Sequence, residues 1–302
     1  MQKSNILFTG VMPAFVTPFD ENRALKRDAV KSLMDMEYQG GVKGFYINGA
    51  TGEGTVLSAK LRMEMAEAAV EFNKGRGVLI NHVGAPNFED VKALALHSKD
   101  LGVDALSSLV PNYFSDCTDD EIVDYYSRLA SYTDLPILVY ATPLIHSDVV
   151  KLMGRLLEIP TVIGCKFTRW NYYELSRVKM LNDGNVNVIN GPDEMFVSGL
   201  AMGADGGIGS TYNVLAERFV AVYDAYQKGD VVKAREIQYG INKIIYVILS
   251  HGKGNLVKSL KGTLTLMGYD AGDAAYPAAR MDKADLAALK ADLIAAGFEK
   301  CL

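Results

Sequence analysis

The stretch VIGCKFTRW, residues 162–170, decides the fold. Val162, Ile163, Cys165 and Phe167 are the residues of a strand covered on both faces, and such strands belong to parallel sheets flanked by helices. Lys166 interrupts that apolar run, where an ammonium is costly unless it is paired or gives up its proton. Two readings stay open. It is a strand-end lysine whose head snorkels to water, or an amine kept from water to act as a nucleophile.

Working outward, seven further runs have the same character. GVMPAFVTP, GFYINGA, VLINHVG, ALSSLVP, PILVYATP, VNVINGP and GGIGST begin near Gly10, Gly44, Val78, Ala105, Pro136, Val186 and Gly206. Amphipathic segments separate them. AKLRMEMAEAAVEF repeats apolar residues at helical steps, and TDDEIVDYY opens with a Thr118…Glu121 capping box. Asn87 suits a cap before FEDVKALALHSKDLG, and Gly102 suits a stop. Eight strands, each followed by a helix, predict an α/β fold, a (β/α)8 TIM barrel. A doubly wound open sheet fits less well, because the first turn, TPFDEN, has no GxGxxG. After Gly229 the strand signals stop. Residues 1–229 therefore read as the barrel, and 230–302 as a C-terminal helical extension of the same domain.

Hydrophobic residues make up 49% of the 302, charged residues 22%, and the net charge is −5. With no Lys/Arg run, this balance argues against a nucleic-acid partner. Cys117, Cys165 and Cys301 are scattered and lack a CxxC pair, which suits a reducing compartment. No apolar run approaches the ~18 residues of a membrane span, and MQKSNILFTG lacks a signal-peptide core. A cytoplasmic location is expected.

In such barrels chemistry collects at the C-terminal ends of the strands. Tyr140 falls at the end of the strand before Lys166, so the two side chains converge. A neutral amine attacks a ketone to form a Schiff base, and a neighbouring tyrosine can carry the proton. Tyr140 also reads as a barrel-filling aromatic. GATGEG, residues 49–54, is either a tight turn or a cradle of backbone N–H groups for a carboxylate. Without the Lys-Ser/Thr ending of a P-loop it predicts no nucleotide cofactor. GADGGIGS is equally open between close ligand approach and a phosphate site. Asp193 and Glu194 begin a helix, where acids serve the helix dipole or a ligand. His82, His97, His146 and His251 lack metal-ligand spacing and read as structural, so no metal is expected. Trp170 and the following tyrosines read as helix-packing aromatics.

GATGEG, HVGAPN, DALSSLVPNYF, ILVYATP, VIGCKFT, NGPDEMF and SGLAMGADGGIGSTYN together resemble the N-acetylneuraminate lyases of the dihydrodipicolinate synthase superfamily of class I aldolases. The resemblance runs from about Gly10 to the end of the chain; GxTGE with a strand-six lysine marks the superfamily, and HVG with ADGGIGSTYN the lyase branch. It implies a barrel, usually a homotetramer, that cleaves N-acetylneuraminate to N-acetylmannosamine and pyruvate. By this resemblance Lys166 is the Schiff-base lysine and Tyr140 the proton shuttle. Thr51 holds the pyruvate carboxylate, with Ala50 in the same turn. Thr168, Gly191, Asp193, Glu194 and Ser210 bind the polyhydroxy tail. Tyr113 matches a tyrosine lent across a subunit interface.

Three positions depart from the family pattern. Ala50 stands where a serine or threonine hydroxyl orients the tyrosine, Ala141-Thr142 follows Tyr140 where Asn-x is expected, and Pro192 replaces a tyrosine of many lyases. Three alternatives stay open: an aldolase or dehydratase for another 2-keto-3-deoxy sugar acid, a dihydrodipicolinate synthase-like synthase, and a binding barrel without catalysis. Leu144-Ile145-His146 after Pro143 disfavours the synthase, which places an arginine there.

Overall fold

Strands and helices alternate as the spacing predicts in the computed structural model, which describes residues 4–110, 117–278 and 280–301. β1 (Gly10–Pro13) leads into α1 (Arg27–Gln39), β2 (Gly44–Ile47) into α2 (Ala59–Asn73) and β3 (Val78–His82) into α3 (Phe88–Leu101). β4 (Ala105–Ser108) precedes α4 (Asp119–Ser131), β5 (Ile137–Ala141) precedes α5 (Val149–Leu156), and β6 (Val162–Phe167) precedes α6 (Tyr172–Lys179). β7 (Asn187–Asn190) enters a 3₁₀ turn, Asp193–Met195, and then α7 (Phe196–Ala201); β8 (Gly206–Gly209) is followed by α8 (Tyr212–Gln227). The extension is helical throughout its regular part: α9 (Val231–Gly252), α10 (Leu256–Leu266) and α11 (Lys283–Ala295). The fifth and seventh strands start one residue later than the sequence suggests, at Ile137 and Asn187.

The helix ends follow local chemistry. Thr118 and Glu121 form the expected capping box, Asn87 accepts from Glu89 N–H, and Gly102 closes α3 in the left-handed region at φ 72°. All strand pairs are parallel, and a bridge between Ala14 and Tyr46 joins β1 to β2, closing the barrel. Met12, Tyr46, Ile80, Leu138, Ile163, Ile189 and Ile208 fill its interior, so the lower barrel is packed core rather than a channel. A second apolar layer, including Cys165, Phe167 and Tyr126, lies between sheet and helices.

One irregularity aims the strand quoted above. Ile137 pairs with Val162 but Leu138 pairs with Gly164, leaving Ile163 as the extra residue of a bulge. Gly164 is required there, because a Cβ would meet Asn187 O at 2.0 Å. The shift sets Lys166 opposite Tyr140 on the inner face. Without it, strict alternation from the interior residue Ile163 would turn Lys166 toward the helices.

Candidate active site

Lys166 is 4% exposed, and its Nζ lies 4.3 Å from the Tyr140 ring centroid and 4.6 Å from that of Tyr46. Among the described residues it makes no ion pair. The packing of this floor is aromatic. The Tyr140 ring meets Tyr46 and His82 edge-on with centroids 6.1 Å apart, and Tyr46 donates to Ser107 Oγ at 3.1 Å. His82 is buried and its Nε2 accepts from Leu109 N–H at 3.0 Å, while its Nδ1 is buried without a hydrogen-bond partner. Burial holds its pKa well below the usual value, with the Arg62 charge adding to that effect, so the ring stays neutral. Arg62 is itself buried and donates to the carbonyls of His82 at 2.6 Å and Gly84 at 2.9 Å, fixing the end of β3.

The turn 49–54 borders this floor. Asn48 and Glu53 carry left-handed backbone at φ 59° and 58°, and a Cβ on Gly54 would strike Asn48 O at 1.9 Å. Interactions from elsewhere hold that strained course. Thr17 Oγ1 donates to Gly52 O at 2.7 Å, and Asn48 Nδ2 donates to Arg62 O at 2.9 Å. Ala50 is exposed, whereas Thr51 is buried with its hydroxyl 2.7 Å from Ser210 Oγ. Ser210 therefore touches the Thr51 turn and also lines a cavity beyond it.

That cavity, about 180 Å³, brings together Thr168, Gly191, Asp193, Glu194 and Ser210 from the ends of β6, β7 and β8. Thr168 Oγ1 is buried without a hydrogen-bond partner, and a Cβ on Gly191 would collide with it at 2.0 Å. Asp193 serves the fold more directly than expected, since its Oδ2 accepts from both Thr211 N–H and Thr211 Oγ1 at 2.6 Å. Burial pushes its pKa up to about 6 despite those two donors. The Asp193–Glu194 backbone is tied to α9: Gln238 Nε2 donates to Asp193 O at 3.2 Å and Asn242 Nδ2 to Glu194 O at 3.1 Å.

The remaining wall is mostly apolar. Trp170, Pro192, Ile245, Leu249 and Leu256, with Thr211, complete the cavity, and Trp170 is 63% exposed. This corrects its expected role as a helix-packing aromatic; of the two tyrosines that follow, Tyr172 does pack, with its hydroxyl on Asn190 Oδ1 at 2.7 Å, while Tyr173 is exposed. Pattern reasoning could not find this wall, because α9 and α10 supply half of it. Tyr113 lies outside the described residues. No group of three or more His, Cys, Asp or Glu among the described residues is placed to hold a metal, and no described helix is long and apolar enough to cross a membrane.

The arrangement offers an amine on an aromatic floor, a tyrosine beside it, a hydroxyl-bearing turn and a mixed polar and apolar cavity. The Dihydrodipicolinate synthetase family matches residues 7–296. An N-acetylneuraminate lyase of Rhizobium meliloti is 33% identical over 282 residues, covering 93% of each chain. Among solved structures, an N-acetylneuraminate lyase from Mycoplasma synoviae superposes with TM-score 0.88 at 32% identity, covering 97% of this chain and 99% of that one. One from Aliivibrio salmonicida, a sialic acid aldolase, reaches 0.91 at 27% identity over 99% of both chains. With its barrel, its strand-six lysine and these relatives, the chain belongs to the dihydrodipicolinate synthetase family, in its N-acetylneuraminate lyase branch.

Proposed function

We propose that the protein is a Schiff-base aldolase that cleaves N-acetylneuraminate to N-acetylmannosamine and pyruvate. The observation that carries this reading is Lys166, buried at the mouth of the barrel with Tyr140 against it and no ion pair among the described residues. The neutral amine adds to the C2 ketone of the open-chain sugar acid, and loss of water leaves an iminium on Nζ. Tyr140 gives its proton to the hydroxide expelled from the carbinolamine and, having given it up, takes the C4 hydroxyl proton; the C3–C4 bond breaks, its electrons flow into the iminium to give an enamine, and the aldehyde leaves. Protonation at C3 and addition of water release pyruvate and restore the amine. Thr51 and the N–H groups of its turn receive the carboxylate. Thr168, Asp193 and Glu194 receive the tail hydroxyls, Gly191 makes room for Thr168, and Ser210 bridges both ends.

The same reading includes a homotetramer in which Tyr113 completes a neighbouring site, a cytoplasmic location, and residues 230–302 as part of one domain with the barrel.

Pyruvate with borohydride tests the chemistry. Hydride reduction of the iminium leaves a stable secondary amine, and peptide mapping is expected to find it on Lys166 alone. An adduct on Lys60 or Lys258, or none, sinks the assignment. Cleavage of N-acetylneuraminate, followed by release of pyruvate, tests the substrate.

A further inference from the structure

Lys261, on α10 of the C-terminal extension, is 1% exposed and reaches the turn 49–54 from 208 residues away. Its Nζ donates to Glu53 Oε2, Thr17 O and Asp273 O, each at 2.9 Å, and lies 3.9 Å from the Phe19 ring centroid. The other Glu53 oxygen accepts from Ala275 N–H. Three donors of one ammonium are thus matched to three acceptors on three segments, and both carboxylate oxygens of Glu53 are engaged. Removing either partner would leave the other as a buried, unpaired charge.

The placement is specific. Glu53 is two residues after Thr51, on left-handed backbone, and Thr17 holds the same turn a second time by donating from its hydroxyl to Gly52 O. Lys261 therefore grips the turn through its one carboxylate and through the neighbouring strand end. Nothing in its position brings it to the Lys166 floor, whose contacts are Tyr46, Tyr140 and His82.

We propose that Lys261 and Glu53 are positioning residues that fix the Thr51 turn for the carboxylate of the 2-oxo acid, so that seating of the C-terminal extension sets affinity for that carboxylate. This rests on the reading of the turn as the carboxylate site. An enzyme whose carboxylate turn is held by a pre-formed ion pair reorganises little on binding, and loosening that pair weakens binding before it touches the amine's chemistry.

The test uses the full chain and two ketones, pyruvate and its carboxylate-free counterpart acetone, each trapped on Lys166 by borohydride and counted by mass. Lys261→Met is expected to raise the half-saturating pyruvate concentration about tenfold, or ~1.4 kcal/mol. Trapping at saturating pyruvate, and trapping with acetone, are expected to stay within about twofold, because the lysine floor is untouched. Lys261→Arg keeps a cation against Glu53 and is expected to recover part of the loss. Equal losses with both ketones would make the pair mere fold support, and an unchanged pyruvate half-saturation would remove it from the site; either overturns the inference. Should Lys261→Met fail to fold, Glu53→Gln, which keeps size and removes the charge, decides by the same comparison. Absence of any pyruvate adduct in the parent overturns the aldolase reading and this inference with it, whereas a trapped parent beside an unaffected variant overturns the inference alone.

Discussion

At one end of the site the turn 49–54 has its carbonyl, its carboxylate and its strained backbone each held by buried partners from the segment after β1, α2 and the C-terminal extension. At the other end Thr168 keeps an unpartnered hydroxyl and Trp170 stands 63% exposed over a cavity. The difference follows from what each end would meet. A 2-oxo acid presents the same carboxylate every time, so a rigid turn loses little by being committed in advance. A sugar tail must find donors and acceptors that are still free, and a buried hydroxyl with no partner costs about 1–3 kcal/mol until a ligand supplies one. Lys166 and Tyr140 stand on an aromatic floor shared with Tyr46 and His82, and Gly49 of the turn lies against the Tyr46 ring.

The comparison can be broken at that floor first. Tyr140→Phe keeps the ring against Lys166 and removes the proton route, so turnover is expected to fall roughly 100- to 10,000-fold with stability almost unchanged. Steady-state cleavage and a thermal melt on the same sample check this; turnover within a few-fold of the parent would assign proton transfer to another group.

Asp193 tests whether the tail end also contains a committed group. Its folded-state pKa of about 6 lies above the usual carboxylate range, so between about pH 4 and 6 the folded protein holds a proton that the unfolded chain has released. In that window stability falls as pH rises, and the cost is complete above about 6. Asp193→Asn does not titrate. Its stability relative to the parent is therefore expected to rise by roughly 2–3 kcal/mol from pH 4 to pH 7, read from urea midpoints. Parallel pH curves would mean that the Thr211 donors have kept the carboxyl ionised throughout.

The next effect is smaller and separates the two ends directly. Glu194→Ala is expected to lower kcat/KM for N-acetylneuraminate about tenfold while borohydride trapping of pyruvate stays near parent values, because pyruvate stops at the Thr51 turn. Joint loss of both would make Glu194 a support for the fold rather than a reader of the tail. Least affected is Trp170→Ala: removal of a largely exposed wall is expected to change kcat/KM by about threefold at most. A larger change would show that the apolar wall is closed over by substrate or by another copy of the chain.

The local signals proved legible because their physics is local. Thr118 and Glu121 cap α4 within one turn, Asn87 and Gly102 bound α3, and α9 spans Val231–Gly252, the segment whose periodicity marks a helix. The apolar run of β6 around Lys166 predicts burial on both faces, and burial makes that lysine conspicuous. The exposed position of Trp170 is not legible locally, for a related reason. Its sequence neighbours Tyr172 and Leu175 do pack inward, and nothing within a few residues distinguishes it from them.

By itself, then, the sequence determined the alternation of strands and helices, the parallel sheet, and the placing of a lysine and a tyrosine at the ends of adjacent strands, since each depends on spacing within one element or on the ends of adjacent ones. Only the tertiary structure decided which way Lys166 faces, because the bulge at Ile163–Gly164 reverses strict alternation and depends on how β6 registers with β5. It alone also set Ser210 beside Thr51, and Lys261 beneath Glu53. These partners lie 159 and 208 residues apart, and no local propensity selects one polar group for another across that distance. Barrel closure and the docking of α10 bring them within hydrogen-bond reach, where desolvation makes pairing the only low-energy outcome.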